Sequence, residues 1–155
     1  RLFGHIPPEV ELVVGDARTY HPQDSSLDKF DAILVDAPCS GTGILHKHPD
    51  IKRLRRASDI PPLVALQAEI LEHCWQLLKP GGRLLYATCS VLKEENEAQI
   101  YQFLAKHPTA SEEKLTIKGG IECTHGVQIL PTETTFEKRM DGFYYALLKK
   151  LEDKK

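Results

Sequence analysis

Two cysteines in this sequence stand where chemistry could use them. Cys39 falls within Asp36-Ala37-Pro38-Cys39-Ser40-Gly41-Thr42-Gly43, directly after an apolar run, and Cys89 falls within Thr88-Cys89-Ser90, directly after another. A thiol becomes a strong nucleophile near neutral pH once it reaches its thiolate form. A lone cysteine after a strand is more often a small buried hydrophobe. Two at neighbouring strand ends can divide the work of covalent catalysis, one attacking and the other helping release. In the first loop, Pro38 fixes its own φ and biases Ala37 toward an extended conformation. Gly41 and Gly43 would let the backbone come close to a ligand. No lysine follows these glycines at the spacing of a phosphate loop. On pattern alone, the loop reads equally well as a Gly-rich turn holding an incidental thiol.

A second group of candidates follows at once. His46 to Arg56 carries Lys47, Lys52, Arg53, Arg55 and Arg56 against one acid, Asp50. It is either a solvated face or a segment that binds phosphates beside the thiol loop; its position favours the second. His46, His48 and His73 have no second ligand pair at metal spacing, so no metal site is expected.

These residues need elements to hold them. Glu9 to Val14 is valine-rich and stops at Gly15-Asp16, which predicts a short strand. Tyr20 to Asp28 is polar and predicts a loop. Phe30 to Val35 is a nearly unbroken apolar run, which predicts a strand buried on both faces of a parallel sheet. From Pro62 to Leu78 the apolar residues recur at helical spacing, and Lys79-Pro80-Gly81-Gly82 predicts the stop. Arg83 to Ala87 predicts another strand, and Ser90 a cap for a helix over about 93–106. Two β-like segments follow, over 127–130 and 142–148. Strands alternating with helices predict an α/β fold with a parallel sheet, whose ligands gather at the carboxyl ends of the strands. Three such ends carry polar residues here: Asp16, the 36–42 loop and the 88–90 loop. All three are expected to face one crevice.

Composition limits the alternatives. Of the 155 residues 41% are hydrophobic and 27% charged, which suits a globular domain. No apolar run approaches the roughly 18 residues that a membrane span needs, so a cytoplasmic protein is expected. The net charge of −2 means that any nucleic-acid contact must be a local patch. The four cysteines show no C-x-x-C spacing, which argues against a disulfide scaffold or zinc cluster.

Several stretches, in order, resemble the RNA 5-methylcytosine methyltransferase family, in its bacterial 16S ribosomal RNA branch. They are Gly15-Asp16-Ala17-Arg18, DAPCSGTG at 36–43, HPDIKRLRR at 48–56, PGGRLLYATCSVLKEEN at 80–96, and Asp141-Gly142-Phe143-Tyr144. The combination of DAPCSGTG with YATCS is specific, whereas a D-x-P motif alone would be weak. The resemblance implies a Rossmann-like S-adenosylmethionine-dependent methyltransferase sheet with antiparallel strands at its C-terminal end. It implies Cys89 as the nucleophile on carbon 6 of a cytosine and Cys39 as the residue that assists release. It also implies Asp36 at the methionine end of the cofactor or the pyrimidine edge, and Asp16 near the adenine. The cofactor would be S-adenosylmethionine and the partner small-subunit ribosomal RNA, bound through Lys47, Lys52, Arg53, Arg55 and Arg56. Neither metal nor membrane is implied, and the full-length form is expected to be a monomer. The Gly-rich cofactor loop and the ribose-binding acid of the family do not occur here. The expectation is therefore that residues 1–155 are the C-terminal part of the catalytic domain, a piece of a longer chain. The first two strands of the sheet and an N-terminal RNA-binding region would lie upstream. Such a piece would bind S-adenosylmethionine weakly or not at all.

Three competing readings remain. A thiol hydrolase would need a histidine within reach of Cys89. A non-catalytic RNA-binding fragment would use the 46–56 segment alone. An amino-group DNA methyltransferase would want an aromatic residue where Cys39 stands.

Overall fold

The computed structural model describes residues 10–22, 29–133 and 139–152. The first residue of the expected 9–14 strand and most of the 20–28 loop lie outside them. The principal elements are β1 (Phe30–Asp36), α1 (Pro49–Leu54), α2 (Ile60–Leu77), β2 (Leu78–Thr88), α3 (Glu97–Lys106), β3 (Ala110–Glu113), β4 (Ile121–Glu122), β5 (Val127–Ile129), β6 (Thr132–Glu133), β7 (Arg139–Met140) and β8 (Phe143–Lys150). One sheet runs in the order β1-β2-β8-β5-β4, with β3 also paired to β8. β1 and β2 are parallel, joined through α1 and α2, and register Asp36 with Ala87. β8 is antiparallel to β2 and registers Thr88 with Tyr144. The sheet is thus mixed, with most pairings antiparallel.

α2 carries Pro61 and Pro62 in its first turn, where no N–H is needed. It lays Ile70, Leu71 and Trp75 on the sheet, against Leu84, Tyr86, Tyr144, Ala146 and Leu148. α3 adds Ile100 and Phe103, and the Phe103 ring meets Trp75 edge-on at 5.2 Å. The strict alternation of β8, with Tyr144, Ala146 and Leu148 inward, is the period of two that a half-buried strand shows.

Three expectations differ from what is found. Val10–Val14 form no strand and lie exposed, since β-branched composition makes a strand only when a neighbour supplies the ladder. β1 is not buried on both faces. It pairs only with β2 among the described residues, and Leu34 is 66% exposed. Residues 79–82 do turn, but inside β2: the register jumps from Phe30↔Leu78 to Ala32↔Arg83, and Gly81 supplies the positive φ of 79°. No helix is long and apolar enough to cross a membrane among the described residues.

Candidate active site

The parallel register of β1 with β2 sets the site. Ala37 N–H donates to Ala87 O at 2.9 Å and carries the ladder one step past Asp36. The two chains then leave the sheet side by side, and Cys39 Sγ lies 3.3 Å from Cys89 Sγ. Both thiols are half-buried, unoxidised and in contact.

The loops are stitched together at several points. Gly43 N–H donates to Cys89 O at 2.9 Å, and Val91 N–H donates to the Thr42 hydroxyl at 3.0 Å. Gly142 N–H donates to Gly43 O at 2.8 Å, which brings the start of β8 against the same loop. A Cβ on Gly43 would stand 2.8 Å from Cys89 O and closer still to Gly142 O. The closeness that Gly43 permits is therefore to backbone, not to a ligand. Behind the thiols lies a buried polar layer. The Glu95 carboxylate accepts from Ser40 N–H at 2.8 Å, Ser40 Oγ at 2.6 Å, Ser90 Oγ at 2.5 Å and Gln67 Nε2 at 3.0 Å. Asn96 Nδ2 donates to Ser90 O at 3.0 Å, and Thr88 Oγ1 donates to Asn96 Oδ1 at 2.7 Å. Ser90, expected as a helix cap, turns its hydroxyl to Glu95 and accepts from Leu92 N–H at 3.0 Å.

The two thiols differ in their ionisation. Donation from Cys39 brings Cys89 down to about 7, against the opposing pull of partial burial. Cys39 is pushed far up, first by that same hydrogen bond and then by its own burial. Cys89 is thus the more acidic of the two thiols and Cys39 the one that keeps its proton. The charges of Asp36 and Glu95 oppose the ionisation of Cys89.

The remaining candidates divide. Asp36 is exposed at the tip of β1, and its carboxylate makes no hydrogen bond or ion pair among the described residues. Asp16 is held by Arg18, whose Nη2 and Nε lie 2.6 and 3.0 Å from the carboxylate. The guanidinium keeps Asp16 at about 2 and reaches on to Glu69 of α2 at 3.3 Å. Among the described residues no hydrogen bond joins Asp16 to either thiol loop, so of the three expected strand ends only the two that carry cysteines meet directly. Lys47 is paired with Asp141 at 2.6 Å, and His46 Nε2 faces the other Asp141 oxygen at 3.0 Å without hydrogen-bond geometry. Arg55 Nε donates to Ser40 O at 3.2 Å and so ties the basic segment to the residue after Cys39. Lys52, Arg55 and Arg56 rim a cleft of about 560 Å³ with walls of Leu45, Ile51, Ile60 and Leu92. Arg53 is exposed and makes no ion pair among the described residues. A second cleft of about 520 Å³ lies between the 11–20 segment, β1 and α2, and neither thiol lines it. No cluster of metal-ligating side chains occurs among the described residues.

Glu95 and Gln67 were not foreseen as site residues. Gln67 carried a signal: a polar residue between Leu66 and Ile70 in an otherwise apolar stripe. Glu95 carried none, since an acid in a first helical turn is ordinary.

The family model of the 16S rRNA methyltransferases RsmB/F matches residues 5–149. The chain belongs to that family. It is 56% identical over 153 residues to ribosomal RNA small subunit methyltransferase B of Pasteurella multocida, covering 96% of this chain and 33% of that one. With the same-named protein of Vibrio cholerae it shares 50% over 140 residues, covering 90% and 30%. The chain therefore spans about a third of the length of these RsmB/F relatives. Among solved structures it is similar to NSun6 from Pyrococcus horikoshii with SFG, an S-adenosylmethionine analogue, with a TM-score of 0.70 and 27% identity over 94% of this chain and 36% of that one. It is also similar to a methyltransferase homologue of the same organism, with a TM-score of 0.62 and 30% identity over 83% and 43%. The mixed sheet described above is accordingly a methyltransferase fold.

Proposed function

We propose that this chain carries the covalent chemistry of S-adenosylmethionine-dependent methylation at carbon 5 of a cytosine in small-subunit ribosomal RNA. The observation that carries the reading is the 3.3 Å approach of Cys39 and Cys89, a contact that favours ionisation of Cys89 over Cys39. The Cys89 thiolate bonds to carbon 6 of the cytosine and makes carbon 5 nucleophilic. S-adenosylmethionine, when bound, supplies an electrophilic methyl group to that carbon. The proton on carbon 5 then leaves to water, its electron pair restores the carbon 5–carbon 6 double bond, and the sulfur–carbon 6 bond breaks with its pair returning to Cys89. Cys39, adjacent and protonated, assists that departure by donating its hydrogen bond to the leaving thiolate.

The residues present fit the cofactor unequally. Asp36 offers a free carboxylate at the strand tip, suited to the ammonium group of the cofactor or the amino edge of the base. Asp16, assigned to the adenine side, has its carboxylate engaged by Arg18. The RNA path is assigned to Lys47, Lys52, Arg53, Arg55 and Arg56. The cleft that three of them rim has apolar walls for a base and cations for its phosphate. Ribosomal RNA as substrate and a cytoplasmic location go together.

The test uses the intact protein with unmodified substrate RNA. Cys39→Ala accumulates a slow-migrating protein–RNA species on denaturing gels, because attack proceeds and release fails. Cys89→Ala forms none. Absence of that species from the Cys39→Ala reaction overturns the division of roles. Retention of RNA binding with no effect of either substitution would leave only a non-catalytic RNA-binding segment.

A further inference from the structure

The two sulfurs sit on separate loops, and no covalent bond holds them 3.3 Å apart. One buried side chain reaches both loops. Glu95 is fully buried, and its carboxylate takes Ser40, the residue after Cys39, through both backbone N–H and hydroxyl. The same carboxylate takes the hydroxyl of Ser90, the residue after Cys89. Gln67 Nε2 completes the grip, donating to Glu95 Oε1 at 3.0 Å and to Pro38 O, before Cys39, at 2.9 Å. That orientation leaves Gln67 Oε1 buried without a partner, so the amide is turned toward the two acceptors despite the loss.

We propose that Glu95 is a positioning residue that sets the register of the Cys39–Cys89 pair through Ser40 and Ser90. The inference rests on the reading of that pair as the reacting centre. Each carboxylate oxygen receives two donors, Ser40 N–H and Gln67 Nε2 on one and the Ser40 and Ser90 hydroxyls on the other. Ser40 N–H cannot reverse, and the Gln67 amide is held as a donor by its second bond to Pro38 O. An amide at position 95 must therefore place its own NH₂ against the two hydroxyls. The Ser90 oxygen already accepts from Leu92 N–H, and the Thr42 hydroxyl lies 3.1 Å from it. The anchor weakens on the Ser90 side, and the Cys89 loop shifts against Cys39 within the limits set by the Gly43 N–H to Cys89 O and Val91 N–H to Thr42 hydroxyl bonds.

Glu95→Gln tests this in the intact protein by three readouts. The first is the rate of disulfide formation between residues 39 and 89 under diamide, which reports how often the sulfurs meet; it falls about tenfold or more, as positional precision is lost. The second is the pH midpoint of iodoacetamide alkylation at Cys89. It rises toward the ordinary thiol value of about 8.5, because the Cys39 donor is displaced. A midpoint that instead falls shows that Glu95 acts only by its charge, and an unchanged midpoint with a lower Tm shows a merely structural role; either overturns the proposal. The third is adduct formation with 5-fluorocytosine RNA, which slows about tenfold while RNA affinity changes by less than about threefold. If wild-type protein forms no adduct, the proposed function fails; if it does and Glu95→Gln matches it, the positioning role fails. Ser40→Ala and Ser90→Ala each cut one arm and leave Glu95 in place. They carry the same three expectations at smaller amplitude if Glu95→Gln does not fold, and unchanged values in both overturn the proposal.

Discussion

Replacing Gly43 with alanine would add one methyl group at the tightest point beside the thiols. The new Cβ would stand 2.8 Å from Cys89 O and 2.8 Å from the Gly142 carbonyl carbon, with Gly142 O nearer still. Nothing there is a flexible side-chain end, so backbone must move. Forcing a methyl into such packing costs about 1–3 kcal/mol. Movement also strains the Gly43 N–H to Cys89 O and Gly142 N–H to Gly43 O bonds, each worth about 0.5–1.5 kcal/mol. A total of about 3 kcal/mol lowers Tm by about 6–12 °C for a domain of this size. Gly119→Ala is the control. Gly119 has a φ of 80° with nothing within 4 Å of its Cβ position, so it suffers only the left-handed penalty of about 1–2 kcal/mol. Thermal melts and urea titrations of the two variants measure the difference. A Gly43→Ala variant as stable as Gly119→Ala would refute the close approach of the three backbones, and with it the seating of the Cys89 carbonyl.

Three further outcomes are expected. Cys89 ionises at about 7 in the folded chain, so its thiolate is present above that value and disappears as pH falls through it. Iodoacetamide labelling of Cys89 therefore rises between about pH 6 and 8, and Cys39→Ala, lacking the donor, moves that rise toward about 8.5; overlapping profiles contradict the hydrogen-bond account. Leu148, fully buried where β8 meets the helices, destabilises by about 2–5 kcal/mol when cut to alanine, as read from urea midpoints. Charge reversal at Lys52 and Arg56 weakens RNA binding and lowers the salt slope by about one per lost phosphate contact, with Cys89 labelling unchanged; a slope equal to that of wild type removes the pair from the RNA path.

The thiol pair was legible because each cysteine closes an apolar run with its own turn chemistry, Pro38 after one strand and Thr88-Ser90 around the other. α2 was legible from its stripe and stop, and β8 from its alternation. What was not legible depends on partners distant in sequence. The valines of 10–14 and the apolar run of β1 state a preference for burial, but only neighbouring strands decide whether burial occurs, and Leu34 stays in solvent. Gly43 read as room for a ligand because the backbone of Gly142, 99 residues on, leaves no trace in the local sequence. The basic segment lies near Cys39, yet Lys47 spends its charge on Asp141, and the acidity of Cys89 comes from a neutral thiol instead. Glu95 illustrates the same limit: its four donors arrive from three separate segments, around residues 40, 67 and 90.

The most direct test is mass spectrometry of the intact protein after reaction with substrate RNA carrying 5-fluorocytosine, whose fluorine cannot leave as the proton does. The account predicts a nucleotide joined to the peptide containing Cys89, with the Cys39 peptide unmodified. A nucleotide on Cys39, or none on either peptide in a reaction that methylates ordinary RNA, would contradict it.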